Sequence, residues 1–245
     1  MDTATAFAIF CDSFTLVPSR RPITTRGQAG PLPVVHSDYV WQGARRVSDD
    51  FFIHGCPPAQ ALEAVGAHGP VPLHYLLVVD EGPDTLAAYE AGGYRLAFPE
   101  YLMARSLENL PALDSRHAVR VVQETDEAAR VNDGDAEAEL WVRPANLDDP
   151  ALRHYYLAVA GVTAARARNW LHSAGCGYVT HVFTHPEHRR RGLGRTVMLH
   201  LLHDSAARGE TVSVLVASEE GALLYDALGY TRLARLLVLE PTPQP

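Results

Sequence analysis

Apolar residues in the second half of the chain switch between a two-residue and a helical period. Residues 178–184 are rich in β-branched and aromatic side chains and read as a strand. Pro186 ends it, since proline cannot donate to a ladder. From Arg195 the apolar positions Val197, Leu199, Leu201 and Leu202 predict a helix, which Gly209 stops. Residues 211–217 read as a strand again. Ser218 then caps a helix through Leu223, Leu224 and Leu228 to Gly229, and residues 230–239 are strand-like. Upstream, residues 118–122 predict a strand. Weakly helical material begins at Asp126 and is cut by Asp133-Gly134-Asp135. Residues 154–160 and 162–170 predict a hairpin about Gly161, and a second turn at Ser173-Ala174-Gly175 leads into residue 178.

The pattern recurs in the first half. Residues 75–80 read as a buried strand and residues 86–89 as a short helix. Tyr89-Glu90-Ala91-Gly92-Gly93-Tyr94 then matches Tyr225-Asp226-Ala227-Leu228-Gly229-Tyr230. Strand-like residues 101–105 follow, as residues 236–239 do in the later copy. This is an internal repeat, and each copy must bury its apolar face on something larger. Pro111, Asp114 and Ser115 read as loop, which divides the chain into residues 1–115 and 116–245. Residues 18–33 are rich in Pro, Gly and Arg and read as irregular.

Between strand and helix in the second half lies Arg189-x-x-Gly192-x-Gly194. Backbone amides there lack helical partners and the helix dipole is positive. Such a turn binds phosphate or pyrophosphate. The chain has no lysine, so all 21 basic residues are arginine. That excludes a phosphate-loop lysine and Schiff-base chemistry. Val197 stands where a dinucleotide fingerprint needs its third glycine. In the first half, Cys56-Pro57-Pro58 opens a helix at the corresponding place. Its prolines remove the amide donors that an anion would need.

The Arg189-x-x-Gly192-x-Gly194 loop resembles the pyrophosphate loop of the GCN5-related N-acetyltransferases (GNAT). Residues 224–230 resemble that family's second motif, in the family's order. The resemblance covers about half the chain well and a further quarter in degenerate form. It implies an α/β (α+β) fold with a mixed, mostly antiparallel central sheet flanked by helices. Residues 1–115 would be a degenerate copy that does not hold the cofactor, with Tyr89 structural, and residues 116–245 the catalytic domain.

The implied reaction is transfer of an acetyl (acyl) group from acetyl-CoA to a primary amine of a small molecule by direct attack. Main-chain groups of Val182, Phe183 and Thr184 would pair with pantetheine. Amides of Arg190, Arg191, Gly192, Leu193, Gly194 and Arg195 would face the pyrophosphate, with the arginines, Arg189 included, adding charge-assisted contacts. Ser218 takes the place of a common family Asn, as a pantetheine contact or a helix cap. Tyr225 matches the family's general acid. The general base is open. The family's strand glutamate is missing; His181, a carboxylate between residues 137 and 149, or a water relay could serve. Regular alternation would put His181 on the face opposite Thr180 and Val182. The alternative reading is a non-catalytic acyl-CoA-binding regulatory module.

Composition narrows the partners. A length of 245 residues with 47% hydrophobic content suits one large or two small globular domains. The net charge of -8 argues against nucleic acid, despite the Arg189-Arg190-Arg191 run. No apolar stretch approaches the roughly 20 residues of a membrane span. Met1-Asp2-Thr3 lacks the basic start of a signal segment. Cys11, Cys56 and Cys176 are scattered, and the 12 histidines show no ligand spacing. The expectation is a cytoplasmic protein with reduced thiols and no metal, with a homodimer left open.

Overall fold

The computed structural model describes residues 1–17, 23–41, 43–69, 73–113, 116–132 and 142–243. The first half runs α1 (Thr3–Leu16), β1 (Thr24–Ala29), β2 (Leu32–Trp41), β3 (Ala44–Ile53), α2 (Pro58–His68), β4 (His74–Val79), α3 (Thr85–Ala91) and β5 (Tyr94–Ser106). The second runs β6 (Val119–Val121), α4 (Thr125–Asn132), β7 (Leu152–Val159), β8 (Val162–His172), β9 (Cys176–Thr184), α5 (Leu193–Ala207), β10 (Val212–Ser218), α6 (Glu219–Ala227) and β11 (Thr231–Pro241). The described strands form one 11-stranded sheet in the order β1-β2-β3-β4-β11-β5-β10-β9-β8-β7-β6. Only β3–β4 and β9–β10 are parallel among these pairs. The result is the mixed, mostly antiparallel sheet with flanking helices that the motifs imply, in tandem form.

The two repeat copies complete each other. β5, which closes the first copy, pairs with β10 of the second. β11, which closes the second, pairs with β4 of the first. β5 and β11 then pair with each other along most of their length. Glu100 sits opposite Leu236, its own counterpart in the repeat, and Pro99–Leu237 and Tyr101–Arg235 flank that pair symmetrically. A local two-fold axis therefore passes through the middle of the central strand pair. The same self-complementary logic governs a two-fold dimer interface, here within one chain.

Helices cover both faces. Leu193, Val197, Leu201 and Leu202 of α5 pack with Tyr225 of α6 on Leu157, Val179 and Leu215. On the opposite face, Phe7, Phe10 and Cys11 of α1 lie on Val35, Phe52 and Leu77 of the first half and on Trp170, Tyr178 and Val214 of the second. Asp2 caps α1 by accepting from the Thr5 amide. Asp12 ties the same helix to Arg26 of β1 and to His172 of β8. α1 thus straddles the seam between the copies.

One expectation changes. Within the stretch read as irregular, residues 24–29 form β1, which turns at Gly30 (φ 54°) into β2. Antiparallel pairing with β2 overrides the weak strand propensity of Thr-Thr-Arg-Gly-Gln-Ala. Residues 18–22 lie outside the described residues, as does Asp133-Gly134-Asp135. The β7–β8 hairpin does turn at Gly161, with Ala160 at φ 51° and Gly161 at φ 84°. Two successive positive φ values suit the right-handed twist of the flanking strands.

Removing β5 would leave β10 and β11 each with an unpaired edge in the middle of the sheet. A fragment of residues 116–245 is expected to aggregate or self-associate in size-exclusion chromatography, because exposed edges template pairing. A soluble, monomeric fragment with native circular dichroism would show that the exchange is dispensable.

Candidate active site

β9 and β10 run parallel and are hydrogen-bonded only from Cys176–Val212 to Val179–Leu215. Both strands continue beyond that point, β9 to Thr184 and β10 to Ser218, without pairing to each other. A wedge opens between them. His181 lies just past its apex with φ 56°, and the β8–β9 register shifts there, between Arg166–Phe183 and Arg168–Thr180. The extra residue is a β-bulge, which turns the strand and re-aims its side chains. Regular alternation therefore fails at this place. Thr180 faces a cleft on the α1 side, whereas Val182 packs toward the α5 core. His181 itself lines a small separate pocket with His154, Arg166 and Arg168. Burial, reinforced by the Arg168 charge, holds the His154 imidazole down at about 3, so it stays neutral.

Beyond the wedge the chain makes a short 3₁₀ turn, Pro186–His188, and enters α5. Gly192 is the N-cap, in left-handed conformation at φ 78°, and Arg190 is also left-handed at φ 58°. Amides of Leu193, Gly194 and Arg195 form the first turn of α5 and have no intrahelical acceptor. A Cβ on Gly194 would stand 3.0 Å from Thr184 Oγ1, so glycine permits the close approach of helix and strand end. The loop organises itself through its arginines: Arg189 Nε donates to the Thr184 carbonyl (3.1 Å), and Arg191 Nη1 lies 3.0 Å from His188 Nδ1. Arg189, Arg190, Arg191 and Arg195 are exposed, while the Leu193 side chain is buried and leaves only its backbone to a ligand. Ser218 caps α6, its hydroxyl accepting from the Gly221 amide at 3.2 Å.

Tyr225 lies on α6, buried, with its ring 5.6 Å edge-on from Tyr230. Burial pushes its hydroxyl far above the usual tyrosine value, with Tyr178 adding to the effect. It therefore stays protonated across the neutral range. The Tyr230 hydroxyl is 2.6 Å from Ser213 Oγ, which fixes the aromatic pair.

On the other face a cleft of about 450 Å³ runs under α1. It extends from Tyr178 and Thr180 of β9, past Val216 and Glu100, to Tyr75 and Asp50. Glu100 escaped the sequence reading because it belongs to the first half. Its position beside β10 follows from strand exchange, which leaves no local signal.

The first half has the matching elements without the opening. β3 and β4 pair from Asp49–His74 to Ile53–Val78, and the strands end there or one residue later. Helix α2 has Pro57 at its N-cap and Pro58 in its first turn, with no side-chain cap. The Tyr89 hydroxyl is buried without a partner among the described residues, and burial pushes its pKa up to about 12.

The family model for the acetyltransferase (GNAT) domain matches residues 172–233, the span from the end of β8 through the start of β11. The class follows: residues 172–233 match a GNAT acetyltransferase domain, and the fold is of a kind that supports acyl transfer generally. A GCN5-related N-acetyltransferase from Kribbella flavida is similar over 100% of this chain and 97% of its own, with a TM-score of 0.69 and 21% identity. A tandem GNAT protein from the clavulanic acid biosynthesis pathway is similar over 99% and 97%, at TM-score 0.55 and 15% identity. Another GCN5-related N-acetyltransferase, from Sphaerobacter thermophilus, is similar over 86% and 78%, at TM-score 0.59 and 17% identity. At these identities the likeness is one of fold, and it includes the tandem arrangement. No curated protein matches the chain in sequence.

Tyr89→Phe removes a buried hydroxyl that no described residue satisfies. Urea denaturation is expected to show stability unchanged or raised, by up to about 1–3 kcal/mol. A loss of more than 1 kcal/mol would mean that the hydroxyl has a partner in solution.

Proposed function

We propose that the chain is an N-acetyltransferase that moves an acetyl group from acetyl-CoA to the primary amine of a small molecule. The observation that carries this reading is the wedge between β9 and β10, which leads to the amide-lined start of α5 in the second half alone. The β10-facing edge of Val182, Phe183 and Thr184, a stretch that pairs with β8 on its other side, suits the pantetheine amides, as strand addition does. Amides of residues 190–195, with the exposed Arg189, Arg190, Arg191 and Arg195, suit the pyrophosphate. Glycine at 194 lets the start of α5 lie close against the end of β9 at Thr184. Ser218 is a further contact at the wedge, or serves only as the cap of α6.

When bound, acetyl-CoA supplies an activated acyl carbon. The protein's part is to hold it in line with the cleft and to furnish protons. Tyr225 serves as the donor to the departing sulfur, a role supported by a hydroxyl that burial keeps protonated at working pH. The catalytic unit is residues 116–245, completed by β5; residues 1–115 are a degenerate copy that binds no coenzyme. Cys11, Cys56 and Cys176 are all unpaired, which suits the reducing cytoplasm.

Isothermal titration of the chain with acetyl-CoA should give one site per chain. A stoichiometry of two would overturn the assignment of the first half. Tyr225→Phe should bind acetyl-CoA as the wild type does, with turnover lowered about 10²- to 10⁴-fold in a thiol-release assay. Full turnover would reduce Tyr225 to packing. Binding without thiol release from any amine would instead identify a regulatory module.

A further inference from the structure

We propose that Glu100, on the strand that the first half lends to the second, is the base that takes the proton from the acceptor amine, and that the acceptor is an amine on an aromatic or bulky apolar body. This rests on the acetyltransferase reading above. Glu100 stands on β5 opposite Ser218 of β10, so one strand separates it from the wedge. Its face is that of Leu102 and Ala104, which point into the α1-side core, and it lines the cleft together with Tyr178, Thr180 and Val216. The acyl carbon, held in the wedge, would reach the cleft beside those residues. At a strand spacing of about 4.8 Å, the carboxylate is within range of an amine there, directly or through one water.

Among the described residues no donor or cation holds the Glu100 carboxylate, and desolvation alone raises its pKa above the usual glutamate range. A raised pKa suits a group that must accept a proton near neutral pH. The repeat sharpens the point: Leu236, its counterpart, faces it across the local two-fold axis. The carboxylate therefore occurs on one side of a nearly symmetric place, the side next to the open wedge.

Other polar groups facing the cleft are Ser13 on α1, Asp50 on β3, Tyr75 on β4, Arg168 on β8 and Tyr178 on β9. Asp50 lies three strands from Glu100, roughly 14 Å at the usual spacing, too far to share one ammonium. Arg168 is buried and engaged within the protein. Between the two carboxylates the walls are Phe10, Phe14, Leu77, Phe98 and Val238. An ammonium held at Glu100 would thus trail an apolar body along the cleft. In the step itself the ammonium first gives a proton to Glu100. The free amine's lone pair forms the N–C bond at the thioester carbon, the C–S electron pair leaves with sulfur, and sulfur takes the Tyr225 proton. The second proton on nitrogen passes through water to restore Tyr225 as the amide forms, and Glu100 gives its proton to solvent.

The test uses the full chain, wild type and Glu100→Gln, with phenethylamine and tryptamine against spermidine and glycine. Calorimetry reports acetyl-CoA binding and thiol release reports turnover. The wild type should favour the aromatic amines. Glu100→Gln should keep the acetyl-CoA affinity and lose about 10²- to 10⁴-fold in kcat/KM near pH 7. The deficit should shrink as pH rises toward the amine's own pKa, where free amine no longer needs a base. Wild-type preference for spermidine or glycine would overturn the acceptor class. Glu100→Gln turnover equal to wild type, or a deficit that ignores pH, would overturn the base. A wild type that fails to bind acetyl-CoA would overturn the parent reading and this one together. Binding and aromatic-amine turnover with an indifferent Glu100→Gln would sink the base alone.

Discussion

The antiparallel pairing of β5 with β11 is the constraint on which the rest of the molecule depends. Each strand closes one copy of the repeat, yet each also lies against the other copy. Neither half can complete its sheet without the other's last strand. Leu102, Met103, Leu236 and Leu237 are almost fully buried in this central pair. Their burial joins what sequence similarity divides. It also sets the positions of β4 and β10, which flank the pair, and hence of both parallel strand pairs further out.

Those parallel pairs show how one fold produced two different outcomes. In the second half, a bulge at His181 bends β9 away and the ladder with β10 stops at Leu215. The facing edges of β9 and β10 beyond that point have no strand partner in each other, which leaves room for a ligand between them. In the first half β3 and β4 pair to their ends, and the next helix starts with two prolines. The first half spends its polar groups on structure instead. Asp49, buried, holds His36 at 2.6 Å and His68 at 2.9 Å, tying β2, β3 and α2 together.

Strand exchange also gives the first half a part in the site. α1 lies over the seam, pinned by Asp12 to both halves, and forms the roof of the cleft. β5 brings Glu100 to the edge of β10. A first half whose parallel strands leave no wedge still contributes residues to the cleft, because the sheet is continuous through both.

Local chemistry made much of this legible in advance. The β9–loop–α5 turn, the β10–α6–β11 unit with Tyr225, and the repeat in β4–α3–β5 all follow from short-range signals: β-branched runs, glycines at left-handed positions, prolines at helix starts. Several features did not. β1 has weak propensity and is a strand because β2 offers it hydrogen bonds. α1 carries an aromatic face that only its packing across the seam explains. The bulge at His181 replaced the alternation expected along β9, since nothing in Tyr-Val-Thr-His-Val-Phe-Thr announces an extra residue. The pairing of Glu100 with Ser218 is a long-range register. It depends on which strands meet in the centre of the sheet, and that is decided by burial of the whole apolar surface and not by any one segment.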